Sequence, residues 1–184
     1  MAQNPRSPLS SRLTYLKKHL IVLGLMSIAA IIMYGFGIRI NVSHSYPPGI
    51  YLVSKGHIYE RHDLVLFCPP NNAAIHTAKV RDYIRSGRCD STTVPMIKRI
   101  VGLAGERVEF TPTILINGVA LTGSERLITD SQHRPLTQLQ NFMIPENSFF
   151  AYSDHAPKTS FDSRYFGAVP MTNIIGHIAP LYIF

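Results

Sequence analysis

From Leu20 to Ile38 the chain runs for 19 residues without a charged side chain. As a helix that segment would be about 28 Å long, close to the hydrocarbon thickness of a bilayer. No stretch elsewhere in the 184 residues has this character, so one end of the protein is bound to an apolar medium and the rest must fold outside it. Arg6, Arg12, Lys17 and Lys18 precede the span, and the first acidic residue is Glu60. Basic residues flank membrane helices on the cytoplasmic side, so residues 1–19 read as a cytoplasmic tail, 20–38 as a transmembrane anchor and 39–184 as a domain on the far side. The rival reading is a cleaved signal peptide with Ser27-Ile-Ala29 as its small-residue site, but the apolar run continues nine residues beyond it, which favours an uncleaved anchor. The net charge of +7 gathers largely at this N-terminal flank. No compact Lys/Arg run with interleaved aromatics appears, so nucleic acid is excluded as the expected partner.

Beyond residue 40 the pattern changes to short apolar runs broken by turn residues. Strands are expected at Gly49–Val53, Asp63–Phe67, Met96–Val101, Arg107–Phe110, Ile114–Ile116, Val119–Leu121, Ser148–Tyr152 and His177–Phe184. Asn117-Gly118 between apolar runs predicts a hairpin. A helix is expected around Ala73–Ser86 and a polar loop over 123–141. The spacing points to a mainly β domain of short antiparallel strands after one N-terminal membrane helix. Cys68 and Cys89 are the only cysteines. In an exported domain such a pair is most simply a disulfide, the alternative being two buried thiols. The pair with His76 matches no zinc spacing, so no metal is expected.

Three segments carry side chains able to do chemistry. Ser45 lies in Asn41-Val-Ser-His-Ser-Tyr-Pro-Pro-Gly49, seven residues past Ile38 and therefore at most about 25 Å from it along an extended chain. Tyr46 is biased to extended backbone by the proline that follows it, and the Pro-Pro-Gly turn stiffens the segment behind the hydroxyl. Lys98 alternates with Met96 and Ile100 on one strand face, where loss of water lowers an ammonium's pKa. A neutral amine is what a general base must be, and a hydroxyl with such a base runs acyl transfer without histidine. Taken singly, each has a plainer reading: a polar linker for Ser45 and a snorkelling edge-strand lysine for Lys98. In Ser160-Phe-Asp-Ser-Arg-Tyr-Phe-Gly167, Asp162 and Arg164 share a side if extended and are able to pair, while Ser160 or Ser163 has a hydroxyl to orient a neighbouring amine. A Ser-His-Asp arrangement can also be drawn from Ser45, His155 and Asp154 or Asp162, but eight histidines make that coincidence cheap.

Together the three segments, in this order after one anchor, resemble the type I signal peptidase family, and most closely its conjugative-transfer branch, the TraF-type peptidases. The resemblance covers most of residues 20–184. It implies a signal-peptidase-like β domain and a serine endopeptidase with Ser45 as nucleophile and Lys98 as base. It further implies Ser43 and the Ser45 backbone N–H as oxyanion donors, Ser160 as hydrogen-bond partner of the lysine, and an Asp162–Arg164 supporting salt bridge, with no cofactor. The family's Gly-Asp-Asn-Arg lead-in to the third segment reads Ser153-Asp-His-Ala156 here, so no role passes to those four positions. The Cys68 and Cys89 contexts also resemble the conjugative branch. The resemblance implies a single-pass protein of the bacterial inner membrane, its catalytic domain periplasmic. Its expected substrate is a membrane-bound pre-protein or propilin, cut and then released linear or joined into a ring, with components of a secretion system as further partners. Two other readings are a general signal peptidase with broad substrates and an inactive membrane-anchored assembly subunit.

Overall fold

The computed structural model describes residues 8–56 and 58–184, with the side chains of 8–11 left aside. Residues 1–7 of the expected tail lie outside the described residues. The chain divides into two compact units, one ending at Ile38 and the other starting at Arg39.

The first unit is helix α1, Pro8–Gly35. Its stretch Arg12–Gly35 is 24 residues long with a mean hydropathy of 1.8, enough in length and composition to cross a membrane. Every side chain from Arg12 to Phe36 is exposed, the signature of a helix that is apolar all round and needs a non-aqueous neighbour. Two boundaries differ from the sequence expectation. Residues 8–19 are helical, not part of an unstructured tail, and the helix stops three residues short of Ile38. Gly37, at φ 85°, takes the chain out of the helix in a backbone conformation that costs glycine little.

The second unit is built from β1 (Ile38–Asn41), β2 (Gly49–Ser54), β3 (Leu64–Phe67), α2 (Ala73–Val80), β4 (Met96–Leu103), β5 (Arg107–Phe110), β6 (Ile114–Ile116), β7 (Val119–Ala120), β8 (Phe142–Met143), β9 (Ser148–Tyr152), α3 (Ser163–Phe166), β10 (Val169–Pro170) and β11 (Ile174–Ile183). Seven strands form one sheet in the order β1-β2-β11-β3-β4-β9-β10, and four form a second in the order β7-β6-β5-β8. The pairings of β2 with β11, β11 with β3, β3 with β4 and β4 with β9 are all antiparallel. Asn117 and Gly118 both have positive φ (48° and 76°), which gives the hairpin turn its hand and joins β6 to β7.

Strand β4 is buried on both faces along most of its length, because each face meets a different core. Ile100 packs with Val65, Phe67, Phe149 and Ala151. Ile97 packs with Tyr46, Tyr51, Leu66 and Ile178 on the other side. Further along, past an irregularity between Ile100 and Gly102, Val101 joins Val108, Ile116 and Phe150 under the second sheet. The helix expected to reach Ser86 ends at Val80. The N–H of Asp82 bonds the Lys79 carbonyl and that of Tyr83 bonds the Ala78 carbonyl, with Asp82 left-handed at φ 59°. This is a Schellman cap built on aspartate where glycine is usual. Cys68 and Cys89 form a disulfide across 21 residues, tying the end of β3 to the irregular segment before β4.

Candidate active site

Lys98 is the fully buried cation of β4, 2% exposed, opposite Val65 in the sheet register. Its Nζ donates a 2.6 Å hydrogen bond to Ser160 Oγ. Burial pulls its pKa down to about 8 against the opposing pull of Asp162, with Arg164 adding to the fall. Strand alternation thus does to Lys98 what its sequence setting implies, and the amine is held by a neutral hydroxyl instead of a carboxylate.

Ser45 sits in the irregular turn between β1 and β2, half-buried. Gly49 closes this turn where β2 meets β11, because a Cβ there would collide with the Tyr182 carbonyl oxygen. Asn41, buried at the end of β1, organises the turn. Its Oδ1 accepts from the Ser43 N–H at 3.0 Å and from Ser43 Oγ at 2.7 Å. Its Nδ2 donates to the carbonyls of Tyr46 and Pro47, each at 3.0 Å. Ser43 Oγ lies 3.4 Å from Ser45 Oγ. Among the described residues the Ser45 N–H has no hydrogen-bond partner, which leaves it free to receive a substrate oxygen.

Among the described residues no hydrogen bond joins Ser45 Oγ to Lys98 Nζ. What the fold does is fasten the neighbours of one to the neighbours of the other. Tyr46 packs in the same cluster as Ile97. Arg99 Nη2 donates to Tyr46 Oη at 3.2 Å, and Tyr46 Oη and Arg99 Nε each donate to the Asp154 carboxylate at 2.6 Å. Burial tends to raise Asp154, but these two donors outweigh it and hold the carboxyl below its usual range, while burial and the same carboxylate push Tyr46 up. Ser153 Oγ donates to the Ser45 carbonyl at 2.6 Å.

The third segment is a capped turn, not the extended strand in which the Asp162–Arg164 pairing is read from sequence. Asp162 is the N-cap of α3, accepting from the Arg164 N–H, and its carboxylate also meets Arg164 Nε at 2.8 Å and Nη2 at 3.0 Å. Both side chains are at most 1% exposed. The remaining guanidinium donors go to the carbonyls of Glu125, Pro157 and Ser160. The pair therefore fixes the backbone of Ser160, whose hydroxyl holds Lys98. Ser163 accepts from the Ala151 N–H at 2.9 Å and faces the sheet, so of the two serines only Ser160 serves the lysine.

The Ser-His-Asp alternative is not assembled. Asp154 is taken by Tyr46 and Arg99, Asp162 by Arg164, and His155 meets the Tyr46 ring, centroids 5.8 Å apart. Asn41 and Ser153 are site residues to which sequence reading gave no role, while Tyr46 and Asp154, read there as an extended residue and as a candidate triad acid, are found instead in a hydrogen-bonded group with Arg99. For Asn41 a signal exists: an asparagine ending a strand two residues before a serine is an Asx-turn pattern.

The sequence profile described as "Signal peptidase, peptidase S26" matches residues 12–183. The chain belongs to this family. It is a serine peptidase of the signal-peptidase type, with that family's mainly β fold. Among its relatives is a "Conjugal transfer protein TraF" of Agrobacterium fabrum, 37% identical over 149 residues (80% of this chain, 84% of that protein). A "Probable conjugal transfer protein TraF" of Sinorhizobium fredii is 33% identical over 181 residues, covering 94% and 93% of the two chains. A solved signal peptidase I of Enterococcus faecalis is 26% identical with a TM-score of 0.40, covering 67% of this chain and 98% of that one.

Proposed function

We propose that this peptidase cleaves a membrane-tethered pilin precursor of a conjugative transfer system, with Ser45 as nucleophile and Lys98 as general base. The observation that carries the reading is Lys98: a buried amine with its pKa lowered to about 8 and its Nζ held by a neutral hydroxyl. At pH 7 about a tenth of such an amine is neutral and able to accept a proton.

The neutral amine takes the Ser45 proton as Oγ attacks the scissile carbonyl. The developing oxyanion is received by the free Ser45 N–H and by the Ser43 hydroxyl. In the free enzyme that hydroxyl donates to Asn41 Oδ1. Turning it toward the oxyanion leaves no orphaned acceptor, because Asn41 Oδ1 keeps the Ser43 N–H. The Lys98 ammonium then protonates the leaving amine. Lys98 next deprotonates a water that hydrolyses the ester, or the precursor's own N-terminal amine, whose attack closes a ring. A short tether from α1 to Ser45 suits a cut site beside a hydrophobic segment, with small residues flanking the scissile bond. The relatives' conjugal-transfer names support a pilin substrate, and the basic flank of α1 supports a cytoplasmic N-terminus with a periplasmic domain in the inner membrane.

The test is the mass of the propilin carried by the same transfer system, measured in cells with Ser45→Ala or Lys98→Ala. Both variants are expected to accumulate full-length precursor. Processing that survives either one overturns the dyad. A product one water lighter than the linear chain reports ring closure.

A further inference from the structure

We infer that Ser153 is a positioning residue for the nucleophile, an inference that rests on the dyad reading above. The Ser45 turn lies outside any sheet ladder, so its backbone carbonyls must find partners elsewhere. The Ser45 carbonyl takes the Ser153 hydroxyl at 2.6 Å. Ser153 itself is fully buried. It directly follows Tyr152, which pairs with Arg99 across β9 and β4, next to Lys98. Its N–H donates to Asp162 Oδ2 at 3.3 Å, so the same ion pair that sets the Ser160 backbone also sets the origin of the Ser153 hydroxyl. One small residue therefore joins the backbone of the nucleophile, through its hydroxyl, to the strand of the base and to the turn that holds the base, through its backbone.

The chemistry of the position asks for a short donor. Capturing the Ser45 carbonyl fixes the 45–46 peptide plane and leaves Oγ only its own χ1 rotation. In this chain, alanine at 153 would hand the carbonyl to water and free the turn. A misplacement of about 1 Å at a reacting atom is able to cost on the order of 100-fold in rate. The Lys98–Ser160 bond does not pass through the Ser153 hydroxyl, so the loss belongs in kcat and not in the ionisation of the base.

The test uses the full-length protein in detergent micelles and an internally quenched peptide with alanine on both sides of the scissile bond. Ser153→Ala is expected to lower kcat about 10- to 100-fold with KM within about threefold, and to leave the midpoint of the pH–kcat/KM profile in place. Ser160→Ala is expected to move that midpoint. Ser153→Thr restores the donor and at least part of kcat. Ser153→Cys keeps the shape but is a weak donor, and tracks Ser153→Ala, which covers the case where alanine fails to fold. A wild-type kcat in Ser153→Ala or Ser153→Cys, a loss carried by KM, or a midpoint shift like that of Ser160→Ala overturns the inference. If Ser45→Ala or Lys98→Ala still cleaves, the dyad reading fails. If both are dead while Ser153→Ala matches wild type, only the positioning role fails.

Discussion

Lys98 is a burden on the fold, and its size tracks the depth of the shift. The folded-state pKa of about 8 lies below the ordinary 10.5, so the unfolded chain holds the proton more tightly. Stability should therefore rise with pH between about 8 and 10.5, while below pH 8 the full penalty of roughly 3 kcal/mol is present. Lys98→Met removes the charge at similar volume but strands the Ser160 hydroxyl, worth about 1 kcal/mol. The variant is expected to be inactive yet about 2 kcal/mol more stable at pH 7 by urea unfolding in detergent, and equal or lower stability than wild type would contradict the assignment. With Lys98 as the proposed base, the same ionisation sets the rate. Below pH 8 kcat/KM is expected to rise about tenfold per pH unit and then level off, as the neutral amine becomes the major form. Singly, Ser45 before Tyr-Pro-Pro-Gly, Lys98 alternating with apolar residues and the Ser-x-Asp-x-Arg spacing each have a plainer reading, and only their order after one anchor makes them a signal in the sequence. The partners of Ser153 and Asp154 leave no such signal, because a contact with a carbonyl or hydroxyl 108 residues away has no periodic trace.

At the scale of elements, the strands buried on a defined face announce themselves, and the short ones do not. β2 to β6 and β9 alternate or run apolar between turn residues, and the structure places each within a residue or two of the reading, while β11 starts three residues before its expected His177. β1 was hidden because Ile38 reads as the end of the membrane span. β8 and β10 are two residues each, too short for any period. α3 is a single turn, and it exists because Asp162 caps it and pairs inside it. That makes α3 the element most sensitive to one substitution. Arg164→Met leaves a carboxylate buried without its cation and is expected to lower stability by about 3–5 kcal/mol. The double variant Asp162→Asn with Arg164→Met removes both charges and keeps an acceptor at the cap, so it should be less damaged than Arg164→Met alone. Unfolding midpoints of the three proteins decide this. If the double variant is the worst, the energy lies in packing and not in the ion pair.

The whole molecule is an apolar helix and a disulfide-bonded β domain, and those two facts constrain each other. The Cys68–Cys89 bridge closes 21 residues of sequence that include α2 and an irregular segment leading into β4, the strand of Lys98. In the chain-entropy account a loop of that length is worth about 3 kcal/mol, a large share of the net stability of a domain of this size. Such a bridge is favoured in an oxidising compartment, so under the proposed orientation the domain depends on α1 delivering it across the membrane. Maleimide labelling of the two thiols tests this dependence. In cells making the full-length chain, neither cysteine should react with a maleimide until a reductant is added. Residues 39–184 made without α1 and kept in the cytoplasm should label at both Cys68 and Cys89 and unfold about 3 kcal/mol more readily. If the full-length protein labels without reduction, the domain does not reach an oxidising compartment and the proposed periplasmic orientation is wrong. If the cytoplasmic form labels at both positions but loses no stability, the bridge is formed without being needed, and the segment before β4 is held by packing alone.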